Sequence, residues 1–334
     1  MHSHDPYEGI SPFVPGTKIQ LYWDSTSLGM MKTCPRLYQY KMIEGWTPRQ
    51  ESIHLRFGIL YHSALERYDR LRADGLSPED ATRGTIRGLL EATWDRHEAT
   101  ETEPAVSAAW DSGDPYKNRA TLVRSVIWYL EHFRDDPAQT IRLANGRPAV
   151  ELSFKMELDY GPNLSYLDDP DIARAGGQPY VLSGHIDRLV TFLDGVYVTD
   201  RKTTKSALGS YYFDQYSPDN QMTLYSLAAQ VVFHAPVKGV IIDAVQIGVG
   251  FSRFARGMAY RTPAQLDEWL ADTRITLRTA EGYATDYYWP MNDRACGMYG
   301  GCQFRDICGK DPSVRKTFLA ANFERHFWNP RKPR

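Results

Sequence analysis

Asp187, Asp200 and Lys202 carry the clearest chemistry in this chain. They lie in Ser183 to Lys205, SGHIDRLVTFLDGVYVTDRKTTK, where Asp187 follows one β-rich run and Asp200 closes the next. A tight hairpin between the runs brings both carboxylates and the ammonium to one edge of a sheet, because residues i and i+2 of a strand point the same way. Two oxygen ligands beside a lysine suit a hard divalent cation such as Mg²⁺, which keeps waters for a phosphate oxygen. Cation and ammonium together activate water and neutralise the charge that develops on a phosphodiester during in-line attack. Taken alone, Asp-Arg-Lys is more often a solvated hairpin flank, so the elements around it decide.

Those elements follow from periodicity. Residues 25–45 read as a short helix that carries Cys34 next to Pro35. From Arg56 to Ala73, Ile59, His62, Leu65 and Tyr68 recur at helical spacing, which puts His62 on a face with apolar neighbours. Helical patterns at 78–97 and 118–134 flank an acidic, turn-rich stretch that reads as an exposed loop, and residues 75–140 form a helical insertion. The period then changes: Val150 to Leu158 alternates, and Tyr180 to Leu189 and Gly195 to Thr199 are short β-rich runs between turn signals, which suggests a three-strand meander. Residues 218–233 read as a helix and 237–250 as a long apolar strand. Thr262 and Gln265 form a capping box with Pro263 at the first helical position, which opens a helix to about Tyr283.

With this order in place the sequence resembles the PD-(D/E)XK nuclease superfamily, in particular its RecB-like branch of AddB-type and CRISPR-associated adaptation nucleases. The elements that carry the resemblance are His62 in GILYHSALE, Gly184-His-Ile-Asp187, Asp200-Arg-Lys202 and Gln221-Met-Thr-Leu-Tyr225. It implies an α/β restriction-endonuclease-like core over residues 54–285, with a clasp built from 20–53 and 286–334. By the same resemblance His62, Asp187 and Asp200 ligate Mg²⁺ or Mn²⁺, and Lys202 positions the attacking water. Gln221 and Tyr225 then contact the DNA backbone or order the site. The implied activity is a metal-dependent deoxyribonuclease, an exonuclease on single strands or duplex ends in recombination, repair or phage DNA metabolism. The alternatives are an adaptation-type nuclease and a catalytically vestigial DNA-binding subunit, with helicase, recombination or adaptation proteins as partners. Individually, His62 reads more often as a core histidine and Gln221 with Tyr225 as a plain helix face, while Glu151 reads as a further acid or a strand residue.

Four cysteines are present, Cys34 far upstream and Cys296, Cys302 and Cys308 with five residues between successive members. One tetrahedral thiolate site accounts for all four and ties the two ends of the chain together. The resemblance implies a [4Fe–4S] cluster, although the family pattern has a two-residue first gap; Zn²⁺ suits the same four thiols.

Bulk charge is uninformative, at 39 basic against 41 acidic residues and a net charge of −2. Hydrophobic residues at 42% exclude a disordered or fibrous chain. Lys310 to Arg334 concentrates seven basic residues against two acids, interleaved with aromatics. Within it Arg315, Lys316, Arg331 and Lys332 suit phosphates, as a solvated tail would also. Lys205 and Tyr211, just past the lysine of the motif, are further candidates to lead a strand inward. No apolar run approaches a membrane span and the N-terminus lacks a secretory pattern, so a cytoplasmic protein without membrane contact is expected.

Overall fold

A computed structural model of the chain describes residues 11–50, 52–97, 106–163 and 178–332. In chain order its elements begin with β1 (Tyr22–Trp23), α1 (Ser25–Thr33), α2 (Pro35–Tyr38), β2 (Trp46–Pro48), α3 (Ile53–Ala73) and α4 (Pro78–Ala92). There follow β3 (Trp94–His97), β4 (Val106–Ala109), α5 (Arg119–His132), β5 (Gln139–Thr140), β6 (Val150–Glu157), β7 (Val181–Phe192) and β8 (Gly195–Thr204). The chain ends with α6 (Ser210–Asp214), α7 (Asn220–Val231), β9 (Val237–Ile247), β10 (Ser252–Ala259), α8 (Pro263–Thr285), α9 (Arg305–Cys308), α10 (Arg315–Asn322) and β11 (Phe323–Arg325). Two units emerge: Glu51–Leu152 with Ile186–Arg261, and Met1–Gln50 with Ser153–His185 and Thr262–Arg334. Residues 153–185 and α8 thus group with the cysteine-bearing segments. No helix among the described residues is long and apolar enough to cross a membrane.

The first of these units holds the acidic hairpin. β7 and β8 pair antiparallel from Arg188↔Thr199 to Phe192↔Gly195, across a two-residue turn, and the turn length fixes the register. β6 also pairs with β7, which completes the expected meander. The edge position read from the sequence does not hold. β9 pairs in parallel along β8, with Asp200 opposite Ile242 and Lys202 opposite Ala244, and β10 continues antiparallel beyond it. A parallel neighbour requires a crossover, which α6 and α7 supply.

α3 starts at Ser52, whose hydroxyl accepts from the Leu55 amide. It buries Phe57, Tyr61, Ala64 and Leu65, at i, i+4, i+7 and i+8, against Leu89, Leu122, Val126 and Val245. α4 stops at Ala92, short of the expected 97, because the Thr93 hydroxyl bonds back to the Leu89 carbonyl at 2.7 Å. Trp94–His97 then pairs with Val106–Ala109, so part of the expected loop is a hairpin, and the Trp110 amide bonds to the Thr93 carbonyl as its ring enters the core. Residues 98–105 lie outside the described residues. Among the described residues, the stretch 75–140 expected as a helical insertion holds α4, α5, this hairpin and β5.

Gly257 on β10 faces the ring of Phe213, which would stand 2.2 Å from an added Cβ. Gly257→Ala is expected to destabilise the protein by about 1–3 kcal/mol through this overlap. An unchanged urea midpoint would contradict the packing.

In the other unit β1 runs parallel to the start of β7, and Asp24 caps α1 reciprocally with Ser27. The single helix expected over 25–45 is broken at Cys34, which is extended (φ −161°, ψ 111°) because the proline after it disfavours helical backbone. α2 leads into a π-helical turn, Gln39–Ile43. β2 pairs with β11, and Tyr40, Trp46, Phe304, Ile307, Leu319 and Phe323 form the local core. Arg325 lies over the Trp46 ring at 3.7 Å and the Trp328 indole donates to Asp24 at 2.9 Å. The basic C-terminal segment is thereby built into this unit through its aromatics.

Candidate active site

Pairing between β7 and β8 is recorded only as far as Arg188↔Thr199, and the candidate site opens one residue beyond it. There the Arg201 amide donates to Asp187 Oδ2 at 3.0 Å. Asp200 and Lys202 share one side of β8, with Lys202 Nζ 2.6 Å from Asp200 Oδ2. Arg201, between them, is turned to Asp69 of α3 at 2.6 Å, and Arg188 joins the same carboxylate at 3.3 Å. That buried ionic cluster fixes how α3 lies against the hairpin. His62, seven residues before Asp69 and so on the same helix face, brings Nδ1 to 3.3 Å from Asp187 Oδ2.

From the crossover, Asp219 caps α7 by accepting from the Met222 amide and so sets the first helical turn. Lys202 Nζ donates to Gln221 Oε1 at 2.8 Å, and Gln221 Nε2 donates to the Tyr225 hydroxyl at 2.9 Å, one turn on. All six residues singled out by the sequence for this site, His62, Asp187, Asp200, Lys202, Gln221 and Tyr225, therefore belong to one connected set.

Burial acts differently on the two acids. For Asp187 it opposes ionisation, but the His62 imidazole, the Arg201 amide and Lys202 outweigh it and hold the carboxyl well below the usual range. For Asp200 burial dominates and, with Asp187 nearby, raises the carboxyl against the pull of Lys202. Lys202 is pushed down by burial, yet its carboxylate neighbours carry it above the ordinary lysine value. Asp200 Oδ2 is buried and, despite the close ammonium, receives no hydrogen bond of proper angle. It is an acceptor left for another electropositive group.

The family description of the PD-(D/E)XK nuclease superfamily matches residues 25–309. The chain belongs to that superfamily. Its fold is also similar to the crystal structure of a protein from Eubacterium rectale described as "Putative exonuclease", with 10% identity over 89% of this chain and 91% of that one and a TM-score of 0.44. At that score the likeness adds nothing to the case for an activity. No curated protein matches the chain.

Members of this superfamily generally use divalent metals such as Mg²⁺. Among the described residues no group of three or more His, Cys, Asp or Glu side chains stands ready-formed around a cation. The expected trio His62, Asp187 and Asp200 is thus close but not closed. Its donor chemistry still fits a hard cation, with two carboxylates and the buried, unbonded Asp200 Oδ2.

The four cysteines of this nuclease-superfamily chain are free thiols that line one small pocket together with Leu37, Met291 and Phe304. The Asn292 amide donates to Cys34 Sγ at 3.3 Å, and its side chain to the Thr33 carbonyl at 2.7 Å, so the two sequence-distant segments meet here. Gly300 and Gly301 take positive φ, 87° and 111°, which returns the chain so that the Cys302 amide bonds to the Cys296 carbonyl. Burial raises both the Cys302 and Cys308 thiols, and neighbouring cysteines add to the effect.

The residues proposed to hold DNA divide. Lys205 sits at the end of β8, and Tyr211 is 92% exposed on α6. Arg315, Lys316, Arg331 and Lys332 belong to the cysteine-bearing unit. Two of them serve its fold: Arg315 donates to the Cys308 and Lys310 carbonyls, and Arg331 lies over the Tyr22 ring at 4.4 Å. Tyr212, half-buried beside Lys202 and Asp200, receives a hydrogen bond from Tyr216 at 3.2 Å. Sequence reasoning gave no site role to His54, Asp114 or Lys117. The only signal for His54 was its spacing of eight residues from His62, two turns along one helix face.

Proposed function

We propose that the protein is a metal-dependent deoxyribonuclease of the RecB-like branch, an exonuclease on single strands or duplex ends, whose four cysteines hold a [4Fe–4S] cluster. The observation that carries this reading is the continuous link from Tyr225 through Gln221 and Lys202 to Asp200, set beside Asp187 and His62. Against a vestigial binding subunit stands the buried Asp200 Oδ2, which takes no hydrogen bond although Lys202 Nζ lies 2.6 Å away.

Asp187 and Asp200, with His62, would hold the Mg²⁺ or Mn²⁺, which when bound supplies Lewis-acid polarisation and charge neutralisation at a phosphate. Lys202 stays protonated between its carboxylate neighbours and offers a positive charge and N–H donors to the attacking water and the phosphate oxygens. Gln221 Oε1 accepts a hydrogen bond from one of those N–H groups and fixes where the ammonium points, and Tyr225 fixes Gln221 in turn. Cleaving DNA labelled at either end, alongside circular single strands, tests the exonuclease part. Terminal release with circles left intact supports it, and opened circles would make the protein an endonuclease.

His62 separates ligand from scaffold. As a ligand, its imidazole favours Mn²⁺ over Mg²⁺. His62→Ala is expected to lower turnover about 10-fold or more and to narrow the rate difference between the two metals. An unchanged ratio of Mn²⁺ to Mg²⁺ rates would leave it as a partner of Asp187 alone.

The cysteine pocket offers four sulfur donors, a set that suits iron or zinc, and among the described residues they line the pocket without three of them standing ready-formed as a metal site. Zinc is the second reading on the same observation, and metal analysis of anaerobically prepared protein separates it from iron.

A further inference from the structure

Past the C-terminal end of β8 lies a second group of charges that the reaction chemistry leaves unused. His54 and His62 are eight residues apart on α3, two turns and about 12 Å along one face. Lys205 follows the last residue of β8, three positions after Lys202. Between His54 and His62, Gly58 brings α3 close to β8, where an added Cβ would lie 3.9 Å from Thr203 Oγ1. The loop before α5 adds Lys117. That residue is 5% exposed, with its ammonium 5.4 Å from the Phe57 ring centre. Among the described residues this ammonium makes no hydrogen bond or ion pair.

Lys205 extends over the Tyr116 ring at 4.8 Å and meets Asp114 at 3.1 Å. His54 is exposed and feels both lysines, which together with burial hold it below its usual value while Asp114 opposes them. Lys117 is likewise lowered by burial and by Lys205. Lys205 alone is paired with Asp114, the Lys117 ammonium nearby has no ion-pair partner among the described residues, and the carboxylate is already engaged by the Tyr116 and Lys117 amides at 2.7 and 2.8 Å. Such a surplus of positive charge in a partly buried place is costly unless an anion completes it.

We propose that Lys117, Lys205 and His54 form an anion site for a backbone phosphate of the nucleic-acid strand, a short step along the strand from the phosphate under attack. The assignment deepens the nuclease reading and rests on it for the identity of the ligand. Tyr116, 40% exposed beneath Lys205, offers a face on which the adjoining base stacks. Asp114 holds Lys205 in place and competes with the phosphate for it.

The test uses a fluorescein-labelled oligothymidylate, with binding read by anisotropy in EDTA at several salt concentrations and cleavage read separately in Mg²⁺. Lys205→Gln is expected to weaken binding roughly tenfold. Its log–log salt slope should flatten by about 0.7, and by about 1.4 together with Lys117→Met. KM should rise while kcat stays near that of the parent. Asp114→Asn, which keeps the shape and the amide contacts, is expected to tighten binding. A purely structural Lys205–Asp114 pair predicts no such gain. Lys205 is exposed enough for its variant to fold if the buried Lys117→Met does not. Parent-like slopes in Lys205→Gln with cleavage intact would overturn the anion site and leave the nuclease reading standing. Weakened binding in that variant with no cleavage by the parent would sustain the anion site and overturn the nuclease reading. A parent that neither binds nor cleaves would overturn both.

Discussion

Asp200→Asn protein is expected to bind an oligonucleotide at least as tightly as the parent and to cleave it about 10²- to 10⁴-fold more slowly. The substitution keeps the shape of a side chain that is 2% exposed and removes its charge and one oxygen. Lys202 loses its ion-pair partner at 2.6 Å, and the hard-cation donor set loses one of two carboxylates. Lys202→Met should show a similar loss for a different reason, since it removes the donor while leaving both acids. Gln221→Ala should cost less, because it only frees the ammonium that the 2.8 Å bond now directs. Single-turnover rates at saturating DNA, with thermal unfolding as a control for folding, measure all three. Parent-like turnover in Asp200→Asn would remove this residue from the chemistry.

Cys34→Ser and Cys302→Ser are expected to fail together, each lowering the melting temperature by on the order of 10 °C and releasing the same metal. The two residues are 268 positions apart in the chain, yet both line one pocket. Removing either ligand opens a single site. As a cluster protein the anaerobically purified parent should be brown and contain iron; colourless protein with stoichiometric zinc would give the site to Zn²⁺. A Cys34→Ser protein that keeps both metal and stability while Cys302→Ser loses them would break the four-cysteine assignment.

Much of this was legible because the chemistry lies on regular elements. Period-two alternation put Asp200 and Lys202 on one side of a strand, and a two-residue turn set Asp187 against them, so local pattern was enough. The i, i+4 pair Gln221 and Tyr225 followed in the same way from a helix. The internal place of β8 was not legible, since pairing with β9 depends on a crossover about thirty residues long rather than on β8 itself. The break at Cys34 could be read from Pro35, but its direction into the pocket depends on Asn292, far away in sequence. His54, Asp114 and Lys117 escaped notice because a loop and a helix end meet only through the packing of Phe57 and Trp110 into the core. The charge of the C-terminal segment was visible, whereas the contacts of Arg315 with the Cys308 carbonyl and of Arg331 with Tyr22 were not.

If Asp187, Asp200 and Lys202 form a metal-dependent hydrolytic site, strand cleavage requires both the metal and the lysine. The most direct measurement is hydrolysis of end-labelled single-stranded DNA by anaerobically purified protein in Mg²⁺ or in EDTA, with Lys202→Met beside the parent. The account predicts label release by the parent only with the metal, and release near background by the folded variant in both conditions. Cleavage that persists in EDTA, or that Lys202→Met retains at the parent rate, would contradict it.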